Sequence, residues 1–161
     1  MIYANNKRYN TLDGYLKEKF GCKVAKVSLN AGFSCPNRDG TKGHGGCIYC
    51  SPMASGDFAG DAGKSIREQF AEISHAMSKK WSNAKFLPYF QAGTNTYAPL
   101  CQLKNVYEQA LSIEGIAGIS IATRPDCIPD DVLDYLTEIS NRTFLRSNWG
   151  CNLYLTVPAS L

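Results

Sequence analysis

Cys35, Cys47 and Cys50 are the residues of this 161-residue chain whose type and spacing point most directly to chemistry. The last two form a C-x-x-C pair and the first lies twelve residues upstream, so one loop supplies three thiolates. A cubane iron–sulfur cluster normally takes four thiolates, so three leave one iron open to chelate the amino and carboxylate groups of a bound substrate or cofactor. His44 lies in the same loop and completes an alternative set, three cysteines and one histidine around a tetrahedral zinc ion. Spacing alone fits both sets.

The rest of the composition narrows the setting. Seven cysteines is a high and odd count, and no stretch approaches the roughly 20 apolar residues of a membrane span. Residues Met1–Asn10 are too polar for the apolar core of a signal peptide. A cytoplasmic protein with no membrane partner is therefore expected, and in a reducing compartment cysteines serve metal or redox chemistry more often than disulfides. Cys22, Cys101 and Cys151 have no motif partner and read as small buried hydrophobes, and His75 reads as a surface residue. The first 50 residues carry eight Lys or Arg against three acidic groups, a skew that suits an anionic partner such as nucleic acid or an ordinary solvated surface.

Elements that would position the thiols follow from periodicity. Thr11–Phe20 reads as a short helix capped by Thr11 and ended by Gly21, and Lys23–Asn30 as a strand with Val24, Val27 and Leu29 alternating. Residues 31–63 hold eight glycines, two prolines and the three cysteines, a loop long enough to expect function of it. Lys64–Trp81, Leu100–Ile113 and Pro129–Ile139 read as helices, and Lys85–Gln91 and Gly118–Ala122 as strands. Pro88 suggests that the second strand is an edge or is locally distorted. Strands alternating with helices predict an α/β fold with a parallel sheet, ligands gathering beyond the strands' C-terminal ends, where the cysteine loop lies.

The text around the cysteines, AGFSCPNRDGTKGHGGCIYC, closely resembles the cluster loop of the YhcC-like family of radical S-adenosylmethionine (SAM) proteins, relatives of the elongator catalytic subunit. The resemblance continues in RYNTLDGYLKEKFG upstream and in YFQAGTNTYAPL and ATRPDCIPDDVLDYL downstream, covering roughly residues 8–140. It implies a partial (β/α)6 radical SAM barrel of which only about the first three β/α units are present. Residues 1–22 would be a helical lead-in and 23–145 the N-terminal half of the core domain.

By that resemblance Cys35, Cys47 and Cys50 hold a 4Fe-4S cluster, and Tyr49 lies where relatives place a ring near the adenine of SAM. Gly93, Thr94, Asn95 and Thr96 of the QAGTNT stretch correspond to a loop that meets the methionine amino group, although as a bare pattern they form only a turn. Arg124 can contact SAM or substrate, or it can pair with Asp126 to organise its own turn. Cys127 recurs in the family's T-R-P-D-C phrase with no role assigned, and the catalytic residues are not identified. The implied activity is reductive cleavage of SAM to a 5'-deoxyadenosyl radical, with an electron donor such as flavodoxin or ferredoxin as partner and RNA as a candidate substrate. The alternatives are a zinc-binding module for nucleic-acid or protein interaction, and a nonfunctional truncated gene product.

The last alternative arises at the C-terminus. After Asn141–Leu145 the family continues with a strand containing G-L-Q-S, whereas this chain reads RSNWGCNLYLTVPASL. Codons permitted for Gly150–Leu161, started from the last base of the Trp149 codon, can spell the expected G-L-Q-S. Residues 146–161 are accordingly read as an aberrant, out-of-frame tail, with sheet edges left open and the chain unstable alone.

Overall fold

The computed structural model describes residues 9–149, and the elements follow the expected alternation closely. Helix α1 spans Leu12–Phe20, strand β1 Val24–Leu29, helix α2 Ile66–Ser78, strand β2 Lys85–Phe90 and helix α3 Leu100–Leu111. Strand β3 is Ile119–Thr123, a 3-10 turn covers Pro125–Cys127, helix α4 is Asp130–Arg142 and strand β4 Leu145–Trp149. No helix among the described residues is long and apolar enough to cross a membrane.

Local signals set the helix ends. Thr11 Oγ1 accepts from the Gly14 N–H at 3.0 Å, and Gly21, at φ 69°, turns its N–H back to the Lys17 carbonyl. Ser65 and Glu68 form a reciprocal capping box at the start of α2. Helix α4 opens on Asp130 and Asp131 and closes on Arg142, charges that complement the helix dipole.

The four strands are all parallel and lie in sequence order, β1-β2-β3-β4. Ile66 and Phe70 of α2, Leu103, Tyr107 and Ala110 of α3, and Val132, Leu136 and Ile139 of α4 bury against one sheet face. That face supplies Val27, Leu29, Phe90, Ile119 and Ile121, each at most 1% exposed. The α/β class and the parallel sheet are thus observed.

Because side chains alternate along a strand, Val24 and Lys26 point the other way from Val27. Helix α1 covers the N-terminal end of this second face, packing Leu16 against Val24, Leu87 and Ala117. The C-terminal end of the same face is polar and is left for the loops.

Two features differ from the sequence reading. Strand β2 is no edge: it pairs with β1 over its whole length and with β3 on its other side. Pro88 is accommodated by the second of its two expected consequences, a distortion. The Lys85 and Gln91 N–H groups donate toward β1, whereas the Phe86 carbonyl accepts from Ala117, so alternate residues including Pro88 face β3. There the ladder steps from Phe86 paired with Ile116 to Tyr89 paired with Ser120, two residues opposite three, so the bulge falls where a proline has no N–H to give.

The second difference is a fourth strand. Leu145–Trp149 runs parallel to Ile119–Thr123 in unbroken register, so the first residues assigned to the aberrant tail, 146–149, belong to the sheet. The remainder of that stretch, Gly150–Leu161, lies outside the described residues, as does Cys151. Gly118 permits the approach of β4: at φ 135° its α-carbon lies so near the Phe144 carbonyl that a β-carbon would meet that oxygen at 2.0 Å.

Candidate functional site

The loop between β1 and α2 returns over the C-terminal ends of the strands and is pinned at both ends by one buried side chain. Gln69 accepts from the Asn30 N–H at 2.9 Å and donates to the carbonyls of Asn30 and Lys64, each at 3.0 Å. Within the loop, the N–H groups of Arg38 and Asp39 both donate to the Cys35 carbonyl, and the Cys50 N–H donates to the Cys47 carbonyl. The Arg38 guanidinium bridges to the carbonyls of Ser51 and Pro52 at 3.0 and 2.8 Å, tying the two halves of the loop together.

The β2–α3 connection locks onto this loop at Gly93. Its N–H donates to the Ala54 carbonyl and the Thr94 N–H to the Ser34 carbonyl. Gly93 sits at φ 74°, and a β-carbon there would lie 2.3 Å from the Phe33 carbonyl oxygen, so only glycine permits the contact.

These contacts enclose a cavity of about 330 Å³, at the lower end of the range typical of small-molecule sites. Cys35, Cys47 and Cys50 all line it, together with Gly93, Thr94 and Arg124. Tyr49 lines it with a ring that remains 72% exposed. Asn95 and Thr96 are buried and do not line it. The Asn95 Nδ2 donates to the carbonyls of Phe90 and Ala122, and Thr96 Oγ1 bonds Thr123 Oγ1 and the Cys127 carbonyl. Asn95 thereby ties β2 to β3, and Thr96 anchors the loop after β2 to the end of β3 and the turn beyond it.

Polar side chains surround two of the three thiols. Asn37 Nδ2 donates to Cys47 Sγ at 3.1 Å, and this bond, with one from Tyr49 and the positive charge of Arg124, lowers the Cys47 pKa toward the thiolate. Ser55 Oγ donates to Cys50 Sγ at 3.5 Å. Arg124 forms a two-pronged pair with Asp126 at 2.9 and 2.8 Å, so the turn-organising role is present while its charge still reaches Cys35 and Cys47. Asp126 also accepts from Lys42, and these two cations hold its carboxyl well below the usual range. Among the described residues no three His, Cys, Asp or Glu side chains are gathered tightly enough to hold a single metal ion. His44 bridges to Asp39 and its ring packs over Gly40, outside the cavity lining.

The other cysteines divide. Cys127 is buried, Cys22 is half-buried, and Cys101 is exposed on α3, contrary to its reading as a buried hydrophobe. His75 is exposed, as expected. Sequence reasoning missed the sheet-side lining of the cavity, Lys26, Tyr89, Arg146 and Asn148, along with Arg38 in the loop. For Lys26 a signal was present, a charged residue at the alternate position of an apolar strand.

The chain is 54% identical to YtqA, an uncharacterized protein of Bacillus subtilis (strain 168), over 149 residues that make up 92% of this chain and 46% of that protein. It is 42% identical to YhcC of Escherichia coli (strain K12) over 138 residues, 86% of this chain and 43% of that protein. It is 36% identical to the uncharacterized MJ0486 of Methanocaldococcus jannaschii over 140 residues, 85% of this chain and 42% of that protein. No family model matches the chain, and no solved structure matches it. The chain spans less than half the length of these curated relatives. Identities of 36–54% over most of its own length support a YhcC-like family for this chain.

Proposed function

We propose that the chain carries the cofactor-binding part of a radical SAM enzyme, with Cys35, Cys47 and Cys50 as ligands of a 4Fe-4S cluster and SAM in the cavity beside them. The supporting observation is the meeting in one cavity of three thiols from a single loop with Gly93, Thr94 and Arg124 from the next two strand ends. Three thiolates leave one iron open, which is what chelation of SAM requires. The parallel strands in sequence order, with helices on one face, are what the opening units of a (β/α)6 barrel would look like.

When bound, cluster and SAM supply one-electron cleavage to methionine and a 5'-deoxyadenosyl radical, the electron coming from a donor such as flavodoxin or ferredoxin. The chain's own residues have simpler tasks. Asn37 and Arg124 favour the thiolate of Cys47. Gly93, held against the Phe33 carbonyl, presents backbone at the cavity wall, and exposed Tyr49 offers a ring on which adenine can stack. RNA is kept as the candidate substrate, and selection among substrates would involve the portion of the relatives that this chain does not span.

Anaerobic reconstitution tests the reading. Iron and sulfide near about four each per chain are expected, with loss of both when Cys35, Cys47 or Cys50 is changed to serine and not when Cys22, Cys101 or Cys127 is. Saturating SAM should alter the electron paramagnetic resonance spectrum of the reduced cluster. One tightly held zinc with no iron, lost on His44→Ala, would support the zinc module instead.

A further inference from the structure

The sulfurs of Cys47 and Cys50 each accept a hydrogen bond from another side chain of the cysteine loop, Asn37 Nδ2 at 3.1 Å and Ser55 Oγ at 3.5 Å. The Asn37 donor is fixed through the main chain: its carbonyl accepts from the Gly46 N–H at 2.9 Å, which seats Asn37 beside the residue preceding Cys47. Only the NH2 end of the amide suits this place when Cys47 is a metal-bound thiolate, because such a sulfur has no proton to give to the amide oxygen.

The Ser55 donor is held at a conformational cost. Ala54 and Ser55 are the two non-glycine residues with positive φ among the described residues, at 53° and 63°, in the left-handed region that side chains disfavour. Three hydrogen bonds hold the pair there. The Ala54 carbonyl accepts from the Gly93 N–H at 3.1 Å, the Ser55 carbonyl accepts from Gln91 Nε2 at 2.7 Å, and the Ser55 N–H donates to Ser51 Oγ at 3.2 Å. Strain retained in this way points to a task for the side chain it presents, and here that side chain is the hydroxyl on Cys50 Sγ.

Donors aimed at the sulfurs of an iron–sulfur centre stabilise its more negative, reduced form and so raise its reduction potential. We propose that Asn37 and Ser55 are positioning residues that set the reduction potential of the cluster held by Cys35, Cys47 and Cys50, with the left-handed Ala54–Ser55 turn aiming the second donor. The proposal rests on the cluster reading above and concerns neither the binding of SAM nor the choice of substrate.

The test is a dye-mediated redox titration of the anaerobically reconstituted full chain, followed by the electron paramagnetic resonance signal of the reduced cluster, with iron and sulfide measured in the same samples. Asn37→Leu and Ser55→Ala should each keep the iron content of the unchanged chain and lower the midpoint potential by about 59 mV, a tenfold change in a one-electron equilibrium. Ser55→Gly relieves the strain yet also lacks the hydroxyl, so it should match Ser55→Ala in potential while resisting urea better. Ser74→Ala on α2, whose hydroxyl bonds the Ala71 carbonyl, should leave the potential unchanged. Normal iron with an unmoved midpoint in Asn37→Leu, or in either Ser55 variant, overturns the assignment of that residue and leaves the cluster standing. An equal shift in Ser74→Ala overturns both assignments. Loss of iron from all three loop variants does the same, since it would make these residues necessary for holding the cluster; where one variant loses iron, the others decide. An unchanged chain that takes up no iron removes the cluster and this proposal together.

Discussion

The sheet face beneath α2, α3 and α4 and the face opposite it share the same four strands but treat them differently. On the helix-covered face the apolar rows run the length of the strands, and Val27, Leu29, Phe90 and Ile119 have no exposure at all. On the opposite face only the N-terminal end is apolar, where Leu16 of α1 covers Val24 and Leu87. Its C-terminal end carries Lys26, Tyr89, Arg146 and Asn148, covered by a glycine-rich loop in place of a helix. The difference shows how a parallel sheet divides its labour. A face closed by helices holds the fold together, whereas a face closed partly by a loop can keep charge and a cavity without unfolding the core.

The largest expected effect lies on the covered face. Leu103, fully buried on α3, should cost about 2–5 kcal/mol when changed to alanine, because the space it leaves cannot fully collapse. Lys26→Gln, on the cavity face of β1, should change stability by less than about 0.5 kcal/mol. Urea unfolding of the two variants measures the contrast, and similar costs would break the comparison.

An intermediate effect is expected where the two loops meet above the cavity. Gly93→Ala combines a positive φ with a clash against the Phe33 carbonyl, and strain of this kind costs about 1–3 kcal/mol. The damage should be local. Limited proteolysis should show faster cutting in residues 31–63, with amide exchange in α3 and α4 little changed; uniform loss of protection would mean that the loop and the core are one cooperative unit.

The smallest effect concerns the cavity rim. Arg124 and Lys42 depress the Asp126 pKa, so the pair's contribution is complete above the unfolded value of about 3.9 and is lost as pH falls through the lower folded value. Solvent screening of this exposed group keeps the contribution under about 1 kcal/mol. Asp126→Asn should therefore flatten the dependence of stability on pH below about 4 and leave neutral-pH stability within the same limit. An unchanged acid limb would show that the rim contributes nothing to the fold.

Much of this architecture can be read from the residues alone. Thr11 and Gly21 bound α1, Ser65 and Glu68 start α2, and the spacing of Leu103, Tyr107 and Ala110 marks the buried side of α3, because capping and periodicity are local properties of the chain. The spacing of Cys35, Cys47 and Cys50 is likewise local, and their place in the loop that follows the first strand is read from the same segment. Tertiary structure alone decided the rest. Pro88 sits inside the sheet where the segment leading into β3 carries an extra residue opposite it, a fact of pairing between distant segments. Which of Gly93, Thr94, Asn95 and Thr96 meets the cavity depends on how the chain turns out of β2: two line the wall while Asn95 ties β2 to β3 and Thr96 bonds Thr123 and the turn after it. The polar floor was hidden for a similar reason. Alternation predicts that Lys26 faces away from Val27, but which face the helices cover, and that Arg146 and Asn148 arrive beside it on a fourth strand, is fixed by long-range packing and register that no single segment encodes.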